Sequence, residues 1–166
     1  MATITLKGNE IHTAGDFPVV GGKAPDFHLT NGDLQEVSVA DFSGSKKLLN
    51  IFPSVDTPVC AISTKKFNDY AREHEDTVML MISADLPFAQ KRFCGDEGLE
   101  NVVVLSTMRS PDFARSYGVE LIDGPLRGLT ARAVVVLDEN NTVVHAELVA
   151  EIAQEPDYET ALKALG

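Results

Sequence analysis

The sequence predicts an α/β sandwich: a mixed central sheet flanked by helices, with a β-hairpin at the N-terminus. Three observations carry this. Short, almost wholly apolar runs recur at Leu48–Phe52, Val78–Ile82 and Val102–Leu105, as strands covered on both faces require. Helical patterns separate these runs, so the strands they join run parallel. Two further apolar runs then flank Glu139-Asn140-Asn141, a hairpin and hence antiparallel. The chain of 166 residues is one domain's worth of sequence, long enough to bury an ordinary core, and a single domain over 1–166 is expected.

The elements follow in order. Residues 2–14 (ATITLKGNEIHTA) read as two short strands joined at Gly8-Asn9, residues that favour turns. Gly21-Gly22 and Ala24-Pro25-Asp26 mark an irregular loop, and residues 35–39 a weak strand. Leu48–Phe52 is a strong strand closed by Pro53, which has no backbone N–H to continue a ladder. A helix is expected from about Pro58 to His74, then a strand at Val78–Ala84. Residues 87–94 form a short helix that starts after Asp85 and stops at Gly95. A strand at 102–106 and a helix at 111–117, stopped by Gly118, come next. The hairpin of 133–138 and 142–149 and a helix at 157–165 complete the chain.

Composition removes several classes of function. With 44% apolar and 23% charged residues the chain is neither disordered nor fibrous. Its 25 acidic side chains against 14 basic ones give a net charge of −11. Such a surface repels phosphate backbones and anionic lipid, so no nucleic acid and no membrane is expected as a partner. The first twenty residues lack the charged start and apolar stretch of a signal peptide, which makes the cytoplasm the default location. His12, His28, His74 and His145 fall at no metal-ligand spacing, and no glycine-rich phosphate loop is present. No metal and no cofactor is expected.

The two cysteines make either one dithiol–disulfide couple or two inert core residues. Residues 48–60 read LLNIFPSVDTPVC. Threonine is a favoured N-cap and proline a favoured first helical residue. Cys60 therefore falls third in the helix, beside unpaired N–H groups and the positive end of the dipole. Those surroundings favour thiolate over thiol. Cys60 also shares the inward face with Ser63, Phe67, Tyr70 and Ala71, so a small buried hydrophobe is an equally good reading. Cys94 ends its short helix before Gly95 and meets the negative end of a dipole. On that ground it is the weaker thiolate. A disulfide bracing the fold is the plain alternative for the pair, though unusual in a cytoplasmic setting. Asp56, beside Cys60, opposes an anion and is expected to face outward. Phe27, Phe88, Phe93 and Tyr117 are expected in the core.

Pro53, Thr57 and Cys60 form P-x-x-x-T-x-x-C between a strand and a helix. This resembles the active-site signature of peroxiredoxins. No second cysteine stands three residues away, unlike a C-x-x-C oxidoreductase. NIFPSVDTPVCAISTKKFN (50–68), SADLPFAQKRFCG (83–95) and GPLRGLTARAVVVLD (124–138) are similar to segments of the two-cysteine peroxiredoxins that resolve within one chain. The resemblance covers essentially the whole sequence. It implies a thioredoxin-like fold, a hydroperoxide substrate, a homodimer and thioredoxin as reductant. It implies Cys60 as the peroxidatic nucleophile and Cys94 as the resolving cysteine, joined in an intramolecular disulfide during turnover. Thr57 then holds the thiolate and the peroxide, Pro53 shields the sulfur, and Arg132 is the active-site arginine. The residues alone do not select Arg132 among six arginines. Helix-bound Cys60 and Cys94 are expected to lie beyond bonding range in the reduced chain, outside about 7 Å between Cα atoms.

Overall fold

The computed structural model describes Met1–Gly166. Along the chain come β1 (Ala2–Leu6), β2 (Asn9–Ala14), β3 (His28–Asn31), β4 (Glu36–Ser38), β5 (Lys46–Ile51), α1 (Pro58–Glu73) and β6 (Thr77–Ser83). Then follow α2 (Pro87–Glu97), β7 (Val103–Ser106), α3 (Phe113–Ser116), β8 (Glu120–Leu121), β9 (Ala133–Leu137), β10 (Val143–Leu148) and α4 (Tyr158–Ala164). The main sheet has the order β10-β9-β5-β6-β7-β3-β4. β5, β6 and β7 are parallel, and every other pair is antiparallel. This is the expected sandwich with a mixed sheet.

The central strands alternate between two cores, as the pleat dictates. Leu49 and Ile51 of β5, Leu80 and Ile82 of β6, and Ala133, Val135 and Leu137 of β9 enter one cluster with Phe27, Phe113 and Tyr117. Leu48, Met79, Met81, Val134 and Val136 enter the other, where Cys60, Phe67 and Phe93 from the helices join them. Each large aliphatic side chain so buried stabilises the fold by about 1.5–3 kcal/mol. No helix is long and apolar enough to cross a membrane.

Four local readings are corrected. β3 reads HLTN; four residues with three polar side chains give no strand signal, and pairing with β4 and β7 makes the strand. β5 starts two residues before the apolar run. Its Lys47 is fully buried, with Nζ donating to the Asp138 carbonyl at 3.3 Å, and burial lowers the ammonium pKa. The N-terminal hairpin is not alone, because β8 pairs with β2 to make a three-stranded sheet. Helix α2 passes through Gly95 and ends at Gly98, whose φ of 67° is left-handed. The Leu99 amide donates to the Cys94 carbonyl and the Gly98 amide to Gly95, the two bonds of a Schellman ending. Glycine at 95 fits a helix interior, and local sequence does not rank the two glycines.

The hairpin is docked partly by charge. His12 Nδ1 lies 2.6 Å from Asp123 Oδ2, and the His12 amide donates to Asp123 Oδ1 at 2.8 Å. The bond to Asp123 raises the His12 pKa above 6.5, and the bond to His12 lowers the Asp123 pKa below 3.8. A raised histidine contributes fully below 6.5 and ceases to as pH rises through its folded value. A lowered aspartate contributes above 3.8 and ceases to as pH falls through its own. The difference in melting temperature between wild type and Asp123→Asn is therefore expected to be large at pH 5.5 and smaller at pH 9. A difference that stays constant across that range would count against the pair.

Candidate active site

The topology brings three chain segments to one sheet edge. β5 ends at Ile51, and the next residues turn into the loop before α1. β9 runs antiparallel to β5 with Ala133 opposite Ile51, so Arg132 arrives beside the end of β5. The chain after β10 returns past the same point, since the Val149 amide donates to the Arg132 carbonyl at 2.9 Å.

Pro53 is buried at the start of the loop. Thr57 occupies the N-cap position of α1 with extended backbone, φ −102° and ψ 142°, but its hydroxyl does not cap the helix. It lies 2.7 Å from Cys60 Sγ and 2.8 Å from the Ser54 carbonyl. A hydroxyl has one proton and can donate to only one of these at a time. With a thiolate it serves the sulfur; with a thiol it serves Ser54 and accepts from S–H. The amides of Val59 and Cys60 donate to no group of the chain, as the first turn of a helix leaves them.

Cys60 is fully buried. Arg132 Nη1 lies 3.1 Å from its sulfur, and Arg132 Nε donates to the Ile152 carbonyl at 2.8 Å. The guanidinium is itself 2% exposed and pairs with no carboxylate. An unpaired buried cation is costly, and the Cys60 sulfur, 3.1 Å from Nη1, is a group that can become its anion. The structure thus gathers Thr57, Cys60 and Arg132, with Pro53 buried at the start of the loop that leads to the first two. Asp56 points outward, exposed and 3.5 Å from Arg92, as anticipated.

Cys94 is not part of that gathering. It is a free thiol, as is Cys60, partly buried in the last turn of α2 against the cluster that holds Cys60. Burial pushes its pKa up to about 11. The cause is desolvation rather than the helix-dipole end on which the sequence expectation rested. A cleft of ≈ 290 Å³ separates the start of α1 from α2, lined by Val55, Thr57, Pro58, Ala61, Arg92 and Phe93 among others. Phe93 is buried, whereas Phe88 is 67% exposed, against the expectation of a core position.

Asp85 is the residue that local reading misplaced. It does not cap α2, whose N-cap is Leu86. Its carboxylate accepts from Ser54 Oγ at 2.8 Å, from the Val55 amide at 2.8 Å and from Ser83 Oγ at 2.6 Å. One side chain thereby ties the loop before Cys60 to the segment before Cys94, with charge-assisted bonds worth about 1.5–3 kcal/mol each. Buried Gln90 anchors the first half of α2, donating to Ser83 Oγ at 3.0 Å and to the Leu105 carbonyl at 2.9 Å. Nothing in a local pattern announces contacts of such separation.

A helix-borne thiol under a hydroxyl and a guanidinium, on a sheet of this topology, defines the class as peroxiredoxin-type thiol enzymes. Comparison with known proteins agrees. Residues 19–162 match the Redoxin family model. The thiol peroxidase of Mycobacterium bovis is 57% identical over 166 residues, covering 100% of this chain and 99% of that protein. A peroxiredoxin-like protein from Aquifex aeolicus superposes with a TM-score of 0.93 at 39% identity, covering 99% of this chain and 96% of that one. The thiol peroxidase from Chromobacterium violaceum superposes with a TM-score of 0.89 at 28% identity, covering 98% and 94%. The chain belongs to the redoxin family, in its thiol peroxidase branch. Its fold is thioredoxin-like, with an added N-terminal hairpin, and it is a peroxiredoxin-type peroxidase.

Proposed function

We propose that this peroxidase, working as a single domain, reduces hydrogen peroxide and organic hydroperoxides through Cys60 and Cys94, with thioredoxin restoring both thiols. The observation that carries the reading is the Cys60 sulfur held between Thr57 Oγ1 at 2.7 Å and a carboxylate-free buried Arg132 at 3.1 Å. The Cys60 thiolate attacks the terminal peroxide oxygen, forming the S–O bond as the O–O bond breaks. The departing alkoxide or hydroxide takes a proton and leaves as alcohol or water. Arg132, the Thr57 hydroxyl and the open amides of the first turn supply donors to the oxygen atoms where charge develops. Buried Pro53 keeps water off that face, where dipoles act strongly.

Cys60 is then a sulfenic acid. The Cys94 thiolate attacks its sulfur, hydroxide leaves and is protonated to water, and the Cys60–Cys94 disulfide forms. Thioredoxin, a dithiol, reduces it by two exchange steps and is itself oxidised. The intact helices around both free thiols support a step in which α2 opens before the disulfide closes. The reading places the enzyme in the cytoplasm as a homodimer.

The test is peroxide consumption coupled to thioredoxin, thioredoxin reductase and NADPH, with hydrogen peroxide and an organic hydroperoxide compared. Mass spectrometry of the peroxide-treated chain is expected to find Cys60 bonded to Cys94. A Cys60–Cys60 link between chains, or no support of turnover by thioredoxin, rejects the proposed cycle.

A further inference from the structure

Arg132 has no acidic partner, so a backbone carbonyl sets the guanidinium's position. Its Nε donates to the Ile152 carbonyl at 2.8 Å. The segment bearing that carbonyl belongs to no strand or helix of the main sheet. What holds it is the N-terminal hairpin. The Thr5 amide donates to the Ala150 carbonyl at 2.8 Å, and the Ile152 amide donates to the Thr5 carbonyl at 2.9 Å. Thr5 Oγ1 reaches Glu151 Oε1 at 3.1 Å, and the Gly8 amide donates to the same oxygen at 2.9 Å. The other oxygen, Glu151 Oε2, accepts from the Ala153 amide at 2.9 Å. One carboxylate thus fastens the last residues of β1 and the β1–β2 turn to the segment carrying Ile152. Amide donors, that of Ala153 foremost, hold its carboxyl down at about 2, so it is an anion throughout the neutral range.

We propose that Glu151 is a positioning residue for the peroxide step: it clamps the N-terminal hairpin onto residues 150–153, so that the Ile152 carbonyl holds Arg132 at the Cys60 sulfur, a role that rests on Arg132 being the cation of that step. The hairpin is then part of the catalytic scaffold, although none of its side chains touches Cys60. A guanidinium fixed by one carbonyl is sensitive to small shifts, and misplacing a reacting group by about 1 Å costs about 100-fold.

The test follows the rate of Cys60 oxidation by hydrogen peroxide before the steady state, in wild type, Glu151→Gln, Arg132→Gln and the double variant. Glu151→Gln is expected to slow oxidation about 10- to 100-fold. Arg132→Gln slows it about 100- to 1,000-fold, as loss of a charge-stabilising donor does. The double variant is expected to be no slower than Arg132→Gln, because Glu151 acts through the arginine. Formation of the Cys60–Cys94 disulfide, timed from the sulfenic acid, stays at its wild-type rate in Glu151→Gln. Circular dichroism at the assay temperature checks folding. Thr5→Val, which removes the hydroxyl on the same clamp, carries the test if Glu151→Gln does not fold, and is expected to lose rate in the same step. Two results overturn the role: an unchanged oxidation rate in the clamp variants, or losses that multiply in the double variant. An unchanged rate in Arg132→Gln alone refutes the reading of the arginine itself, and the role of Glu151 falls with it.

Discussion

Replacing Cys60 by serine is expected to abolish peroxide turnover, by more than about 10⁴-fold, the scale on which removal of an enzyme nucleophile is felt. Serine fits the site. It is smaller than cysteine, its oxygen can still accept from Thr57 and Arg132, and the third helical position leaves the same first-turn amides open. What it lacks is the readily formed anion. A hydroxyl does not ionise at neutral pH and is a poor nucleophile towards an O–O bond. The variant also leaves Arg132 2% exposed with no anion to meet, so a lower melting temperature should accompany the loss of activity. The coupled thioredoxin assay and a thermal melt measure the two effects. Turnover within tenfold of wild type would remove Cys60 from the centre of the mechanism.

The second large effect is expected from Cys94→Ser, and it separates the two halves of the cycle. One equivalent of peroxide should still be consumed per chain at the wild-type rate, since the groups on the Cys60 sulfur are Thr57 and Arg132 and Cys94 makes no hydrogen bond to it. Turnover driven by thioredoxin should then fall by roughly 100-fold or more, as it does when a reacting group is lost. Under excess peroxide the stranded sulfenic acid gains a second oxygen and becomes sulfinic acid. In the proposed cycle Cys94 must act as a thiolate, but burial pushes its pKa up to about 11, so the thiol stays protonated at neutral pH while it is buried. On that reading, lifting Cys94 out of the protein would remove the desolvation and free the sulfur to approach Cys60. Rapid-quench mass spectrometry resolves burst, disulfide and sulfinic acid. A Cys94→Ser enzyme that cycles normally with thioredoxin would show that resolution comes from elsewhere.

Much of this was legible in the sequence because the signals are local. Val134, Val135 and Val136 together announce a strand covered on both faces, and Thr57-Pro58 announces the helix that carries Cys60. The position of Cys60 in the first turn follows from three consecutive letters. Arg132 is different. Its apolar strand is obvious, but only the pairing of Ala133 with Ile51 turns a residue before a strand into a neighbour of Cys60. Residue chemistry therefore could not choose it, and the family resemblance did. Asp85 shows the same limit from the other side. Its place before Leu86-Pro87 reads as a helix start, while its oxygens serve Ser54 and Val55 some thirty positions earlier. Lys47 was unreadable because lysine so seldom lies in a core. Its ammonium reaches a carbonyl that only the β5–β9 pairing supplies.

Gln90 divides α2 into unequal parts. The amide that grips Ser83 and Leu105 keeps the first turn in place, so the segment free to swing away is Lys91–Glu97. The apolar surface that this segment surrenders is chiefly Phe93, with part of Cys94. That amounts to about 2–4 kcal/mol, or an open population between about one molecule in 30 and one in 1,000. In the proposed cycle the two chemistries would then sample one standing equilibrium rather than a triggered rearrangement, and the packing of Phe93 would govern the lifetime of the sulfenic acid. Amide exchange across Lys91–Glu97 reads that population directly. Protection there as strong as in β9 would mean the swing begins somewhere other than Gln90.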